Sequence, residues 1–151
     1  MLFLECLPDE TLARKLGCAR RKVRHLAGKS RICKQLVETE SSIGLLDEDP
    51  AAVQPSYFDD LRVTSEQHEI RVCQDQERNH WVIMLRPRFE EWLIRTTEFA
   101  GMKMSDFGLS IRGNELHREI NSRIPNLERL LDQLIAKKNE RLIYLKDALR
   151  L

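Results

Sequence analysis

Short apolar runs alternate with helical stripes along the first part of the chain. Runs at residues 1–5 and 22–26 predict short strands, and the nearly continuous apolar run at 43–46 is typical of a buried parallel strand. Between these runs, apolar residues spaced three and four apart predict two helices, over residues 8–16 and 30–38. The order so far is strand, helix, strand, helix, strand.

A hairpin and a further helix follow. Residues 69–73 and 81–85 are strand-length apolar runs, and the polar segment between them favours a turn. Residues 49–55 hold two prolines, which predicts a loop. A three–four spaced stripe predicts a helix over residues 89–99 that ends at Gly101. This alternation predicts an α/β fold with a mostly parallel central sheet, helices on its faces and one antiparallel edge.

The C-terminal part of the chain is helical in pattern. Residues 114–120 predict a short helix, and Asn126 begins one long helical pattern that reaches Leu149. We therefore expect one domain over residues 1–104, followed by a C-terminal helical extension over residues 105–151. The apolar stripe of the extension suits packing on its own domain, and it also suits a protein partner.

Composition excludes several classes of protein. Hydrophobic residues make up 42% of the chain and charged residues 32%, as in ordinary globular domains. No apolar run approaches the ~20 residues that a membrane span needs, and the apolar start is too short for a signal peptide. The four cysteines form no CxxC pair, which predicts a reducing, cytoplasmic environment and no structural zinc site.

The charges are segregated although the net charge is only +1. Residues 11–37 carry nine basic side chains and no acidic one, and residues 38–60 carry seven acidic side chains and no basic one. This pattern fits a solvated helix face beside an acidic loop, and it also fits a nucleic-acid surface beside a metal pocket. The candidate contacts to nucleic acid are Arg20, Arg21, Lys22, Arg24, Lys29 and Arg31.

Carboxylates follow three of the apolar runs. Glu5 ends the first, Asp47 and Asp49 follow the run at 43–46, and Glu90 starts the helix after the last predicted strand. Ends of parallel strands meet at one sheet edge, where α/β proteins bind ligands. Clustered carboxylates repel unless a hard cation joins them, so the sequence predicts a Mg²⁺ or Mn²⁺ site. Glu90 would be a third ligand or would hold a second ion.

Neighbouring residues have simpler interpretations. Asp9 suits the N-cap of the first helix, and Glu91 suits a helix start because of the helix dipole. Trp92 is expected in the core. Lys29, at the start of the second helix, is placed to contact a phosphate or to steady a leaving oxygen.

Three motifs resemble those of TOPRIM domains. Residues 5–9 (Glu-Cys-Leu-Pro-Asp) resemble the first TOPRIM motif, a strand-end glutamate with an aspartate four positions on, although Cys6 replaces the usual glycine. Residues 47–49 (Asp-Glu-Asp) resemble its DxD motif. Residues 89–92 (Phe-Glu-Glu-Trp) resemble a helix start in small stand-alone TOPRIM-like proteins of restriction and phage-defence loci, which are related to OLD-family nuclease domains.

The resemblance implies a TOPRIM-like, Rossmannoid fold for residues 1–104. It also implies a metal-dependent nuclease, a phosphodiesterase of DNA or RNA, in which Glu5 is a metal ligand or the general base. The alternative is a non-catalytic TOPRIM-like subunit that binds nucleic acid or a partner ATPase. No P-loop motif is present, so any ATPase would be a separate subunit.

Overall fold

The computed structural model describes residues 1–151 and contains a single sheet with helices on both faces. The regular elements, in chain order, are β1 (Leu2–Leu4), α1 (Leu7–Lys15), β2 (Val23–His25), α2 (Lys29–Val37), β3 (Ile43–Asp47), β4 (Arg62–Gln67), β5 (Ile70–Asp75), β6 (His80–Leu85), α3 (Phe89–Phe99), α4 (Gly113–Glu119), α5 (Ile124–Ala136) and α6 (Glu140–Ala148). Short 3-10 turns lie at Arg20–Lys22, Ser56–Asp60, Met104–Phe107 and Ile120–Ser122. None of the helices combines the length and the apolar character that a membrane crossing requires.

The sheet has six strands in the order β2-β1-β3-β6-β5-β4. The pairs β1–β2, β1–β3 and β3–β6 are parallel, whereas β5 is antiparallel to both β6 and β4. The predicted α/β class, the mostly parallel sheet and its antiparallel edge are therefore confirmed. The hairpin formed by β5 and β6 lies where the apolar runs predicted it.

Strand β4 was not predicted. It forms the outer edge of the sheet, and five of its six residues are exposed. A buried strand leaves an apolar or alternating pattern, but an edge strand with little burial leaves neither. Val63 is its only aliphatic residue, and it is 51% exposed.

The prediction of a single long helix from Asn126 to Leu149 is wrong. The chain forms α5 and α6 instead, with a break at residues 137–139. Lys138 adopts a left-handed φ of 54°, and the Asn139 side chain accepts hydrogen bonds from the backbone N–H groups of Arg141 and Leu142. Asn139 therefore caps a new helix, and a cap of this kind separates two helices whose apolar residues otherwise suit one stripe.

One core joins the sheet and the C-terminal extension. Leu4, Leu45 and Ile83 of the parallel strands belong to the same buried cluster as Trp92 of α3. The extension adds its own buried leucines to that cluster, which shows that its apolar stripe packs on its own domain: Leu116, Leu127, Leu130, Leu131, Leu134, Leu142 and Leu145. A smaller cluster covers the other sheet face, where Ile32 and Leu36 of α2 meet Phe3.

Candidate metal centre at the carboxyl edge of the sheet

The parallel strands bring three of the predicted carboxylates to one edge. Glu5 follows β1, Asp47 ends β3, and Glu90 is the second residue of α3, soon after β6. The register pairs Leu4 with Leu45 and Asp47 with Leu85, so the three strands end side by side. The backbone N–H of Phe89 donates to Asp47 Oδ1 at 2.9 Å, which ties the start of α3 to the end of β3.

A fourth carboxylate, Asp9, is buried against this group. The prediction that Asp9 is the N-cap of α1 is wrong, because Cys6 occupies the cap and Asp9 lies in the first turn. Asp9 Oδ2 accepts from the Cys6 backbone N–H at 3.3 Å and from Cys6 Sγ at 3.2 Å. Both bonds are donated by Cys6, and they hold a 5% exposed aspartate beside the end of β1.

Burial, together with neighbouring charges, raises the pKa of Glu5, Asp9 and Asp47. Burial is the first cause of the raised pKa of Asp47, and the charges of Asp9, Glu90 and Glu5 add to it. Burial also raises the pKa of Asp9, with Glu5 adding to the effect. The pKa of Glu5 is raised by burial and by Asp49, although the backbone at Asp47 and the charge of Lys29 oppose the shift. A site of this kind gains free energy from a cation, because the cation favours the ionised forms.

Two carboxylate oxygens are buried without any hydrogen-bond partner. They are Glu5 Oε1 and Glu90 Oε2, and no other buried side-chain oxygen or nitrogen shares this property. A buried polar atom without a partner costs about 1–3 kcal/mol, and more when it is charged. Hard oxygen donors with unused lone pairs fit Mg²⁺ or Mn²⁺ in chemistry. As the side chains stand, however, no three groups lie close enough together to hold one ion, so coordination requires them to rotate inward.

Asp47 and Asp49 face the site, and Glu48 between them does not. Both aspartates line a cleft of about 560 Å³ that also contains Glu5. Glu48 points to the other side, where its Oε2 pairs with Arg71 at 2.9 Å and with Arg86 at 2.6 Å. Asp49 has a left-handed φ of 42°, and its N–H donates to the carbonyl of Pro87 at 2.8 Å. The two aspartates therefore line the same cleft, and the Glu48 carboxylate is held outside it by two arginines.

Basic side chains enter the cleft from two parts of the chain. Lys29 and Arg31 come from the start of α2, and Arg88 comes from the turn before α3. Lys29 Nζ donates to the carbonyl of Glu48 at 2.6 Å and to Gln54 Oε1 at 3.2 Å. Lys29 thus holds the loop that follows β3, and its charge acts on Glu5.

The other predicted nucleic-acid contacts lie farther away. Arg20, Arg21 and Lys22 form the 3-10 turn before β2, so they lie toward the opposite end of the strands from Glu5. Arg24 lies within β2, and all four side chains are exposed. The predicted basic surface therefore has two parts, one in the cleft and one along the sheet edge formed by β2.

Two further residues of the cleft were not predicted. His117 of α4 places its Nδ1 at 2.8 Å from Glu90 Oε1. Arg88 pairs with Glu91, and this pairing lowers the pKa of Glu91. Arg88 adjoins the Phe-Glu-Glu-Trp motif and could have been considered for that reason. His117 follows an ordinary helical pattern in a different part of the chain, so no sequence signal indicated it.

Comparisons of the chain with protein-family models, with curated proteins and with solved structures found no match. The interpretation of the site therefore depends on this chain's own residues: the strand ends that bring Glu5, Asp47 and Glu90 together, the burial of their oxygens, and the cations that line the cleft.

Proposed function

We propose that the protein is a Mg²⁺- or Mn²⁺-dependent phosphodiesterase of DNA or RNA with a TOPRIM-like domain over residues 1–104. One observation carries the proposal. Glu5, Asp47 and Glu90, from three separate parts of the chain, meet at the carboxyl ends of parallel strands, and two of their oxygens are buried without partners. Such burial is unfavourable unless something joins the oxygens, and a divalent cation has the matching charge and chemistry.

The resemblance to TOPRIM domains supports the fold part of the proposal. The strand-end Glu5 and the Asp47-Glu48-Asp49 motif occur in the expected order, on adjacent parallel strands. Asp47 and Asp49 line the same cleft as Glu5. Restriction and phage defence are the settings that the resemblance suggests for such a protein.

Four carboxylates and one lysine have roles in this proposal. A bound cation would supply Lewis-acid activation of water and of the phosphodiester. Asp47, Asp49 and Glu90 would hold it, and Glu5 would act as a ligand or accept the proton of the attacking water. Lys29, which uses two hydrogen bonds to hold the loop, has a third donor for a phosphate oxygen.

A second candidate function has its own supporting observation. No three acidic, imidazole or thiol groups already surround a common point, as a preformed catalytic metal site would. Cys6, whose side chain bonds to Asp9, also replaces the glycine that lets a backbone approach a phosphate in the TOPRIM motif. Both features favour a non-catalytic subunit that binds nucleic acid or a separate ATPase.

Cation binding in solution tests the metal part of the proposal. We expect isothermal titration with Mn²⁺ to show one or two sites in the wild type and sharply weaker binding in an Asp47→Asn, Asp49→Asn double variant. The asparagines keep the shape of the side chains but remove two anionic ligands. The matched control is Asp59→Asn, Asp60→Asn, which removes two exposed acids of the Ser56–Asp60 turn. Equal Mn²⁺ affinity in the wild type and the Asp47, Asp49 variant would refute the site.

Cleavage distinguishes the two candidate functions. With Mg²⁺ or Mn²⁺, the wild type is expected to cut at least one member of a panel of single- and double-stranded DNA and RNA. Glu5→Gln is expected to keep the fold and most binding but to lose cleavage, because it removes the proton acceptor. If metal-loaded wild type cuts no member of the panel, the binding-subunit function replaces the nuclease.

A further inference from the structure

His117 reaches the carboxylate group from outside the sheet domain. It lies on α4 of the C-terminal extension, lines the cleft, and contacts Glu90 Oε1 through Nδ1 at 2.8 Å. A carboxylate oxygen accepts hydrogen bonds, so the tautomer with a proton on Nδ1 lets His117 donate an N–H to Glu90. The imidazole is largely exposed, whereas the Glu90 side chain is 6% exposed. The bond therefore reaches inward from the cleft to a buried acid.

This bond distinguishes the two oxygens of Glu90. Oε1 is held by His117, and Oε2 is buried with no partner. The residue before Glu90, Phe89, donates its backbone N–H to Asp47 Oδ1 at 2.9 Å, so Glu90 lies close to Asp47. Fixing one oxygen orients the plane of the carboxylate and leaves the other oxygen free. Hydrogen-bond partners of metal-binding carboxylates act in this way.

The start of α4 packs closely against the start of α3. Arg88 Nη2 donates to Asn114 Oδ1 at 3.0 Å, and Arg88 Nε donates to Glu91 Oε2 at 3.0 Å. Gly113, the first residue of α4, has no side chain, and a Cβ at that position would overlap the Glu91 carboxylate. These contacts hold α4 where His117 can reach Glu90.

We propose that His117 is a positioning residue that orients Glu90 so that its free oxygen can bind the cation. The proposal rests on the proposed function, since it assigns a role at the same site. It makes the C-terminal extension a part of the metal centre, because the domain over residues 1–104 does not contain the group that fixes Glu90. His117 acts through Glu90 and need not contact the cation.

Mn²⁺ affinity, measured by the decrease of the free-ion electron paramagnetic resonance signal, tests the proposal. His117→Ala is expected to weaken Mn²⁺ binding by about 10-fold, within the ~10–100-fold range for removing a hydrogen-bond partner of a metal ligand. His117→Asn keeps an N–H donor at the position of Nδ1 and is expected to recover part of the affinity. The matched control is His25→Ala, which breaks another His–Glu pair, Nε2 to Glu10 Oε2 at 2.7 Å, outside the residues that line the cleft. The control is expected to bind Mn²⁺ like the wild type.

A second variant tests the same geometry without touching the imidazole. Asn114→Ala removes the hydrogen bond by which Arg88 holds α4 to the start of α3, and it is expected to weaken Mn²⁺ binding as well.

The possible failures are distinct. If the wild type and His117→Ala bind Mn²⁺ with equal affinity, the positioning role is overturned and the proposed function stays intact. Wild type that binds no Mn²⁺ overturns both. A His25→Ala variant whose affinity falls as much as that of His117→Ala also overturns the role, because the effect is then not specific to the cleft.

Discussion

At Asp47, burial and the neighbouring carboxylates act in the same direction. Both raise the pKa, and the opposing contribution is the hydrogen bond from the Phe89 backbone. The unfolded chain has an ordinary Asp pKa of about 4. A raised pKa in the folded state means that ionising this residue opposes folding when no cation is present.

The first prediction concerns stability against pH in EDTA. A raised folded pKa contributes stability that is fully present below about pH 4 and is lost as pH rises toward the folded pKa. We therefore expect the free energy of unfolding of the wild type to fall, relative to that of Asp47→Asn, as pH rises from about 4 toward the folded pKa of about 9. At pH 8 in EDTA, the asparagine variant is expected to melt on the order of 2–4 °C higher than the wild type by scanning calorimetry.

Mn²⁺ supplies the control for that prediction. Saturating Mn²⁺ is expected to raise the melting temperature of the wild type at pH 8, because a ligand that binds only the folded state stabilises it. The same addition is expected to raise it much less in Asp47→Asn. A variant that is less stable than the wild type in EDTA would show that Asp47 is not under electrostatic repulsion.

At the scale of elements, Arg141 connects three parts of the structure. It lies on α6, its Nε donates to Thr96 Oγ1 of α3 at 2.8 Å, and its Nη2 donates to Glu69 Oε1 at 3.1 Å in the turn between β4 and β5. Its guanidinium also lies 5.5 Å from the centre of the Trp92 ring. Burial lowers the pKa of Arg141 to about 10, which leaves it charged at neutral pH.

The second prediction concerns this connection. Arg141→Ala is expected to lower the free energy of unfolding by about 1.5–3 kcal/mol, the range for hydrogen bonds to charged groups. The decrease stays below the cost of leaving Glu69 without any cation, because Arg95 still pairs with Glu69 in the variant. Urea denaturation measures it, with Arg129→Ala on the exposed surface of α5 as the control. A change within ~0.5 kcal/mol, the usual effect of surface substitutions, would refute the connecting role.

The elements that could be predicted from the sequence are those with buried faces, because burial produces a regular apolar pattern. The run at Ile43–Leu46 and the stripe of Phe89–Phe99 have strong patterns because one or both of their faces meet the core. Strand β4 has almost no buried side chains, so it leaves no pattern. The break between α5 and α6 depends on the capping residue Asn139, which a continuous apolar stripe conceals.

The site divides in the same way. The proximity of Glu5, Asp47 and Glu90 could be predicted from the sequence. Each follows a strand, and the carboxyl ends of parallel strands lie at one edge of the sheet. The burial of Asp9 could not be predicted, because a first-turn acid is ordinary in any helix. His117 could not be predicted either, since its contact with Glu90 depends on how the extension folds back onto α3.

At the scale of the whole molecule, the basic residues form two regions at different distances from the carboxylates. Arg31 lines the cleft, whereas Arg20, Arg21 and Lys22 lie before β2. A nucleic acid that follows the edge of the sheet would contact both regions. The turn would then contribute affinity, and only the cleft residues would lie near the reacting phosphate.

The third prediction separates the two regions. Replacing Arg20, Arg21 and Lys22 with alanine is expected to weaken nucleic-acid binding and to flatten the slope of log K against log salt by about 0.9 for each phosphate that the variant no longer neutralises. Arg31→Ala is expected to flatten the slope by about 0.9, the value for one phosphate. It is also expected to slow cleavage. Fluorescence anisotropy at several salt concentrations measures both slopes. An unchanged slope in the triple variant would show that the turn does not bind nucleic acid.

The central claim is that a divalent cation joins the carboxylates at the ends of β1 and β3 and at the start of α3. The most direct test is an anomalous difference map from crystals of the wild-type protein soaked in Mn²⁺. We expect a peak bounded by oxygens of Glu5, Asp47 and Glu90, with the Asp47 side chain turned toward it. A map without a peak at this edge, from crystals of protein that binds Mn²⁺ in solution, would contradict the account.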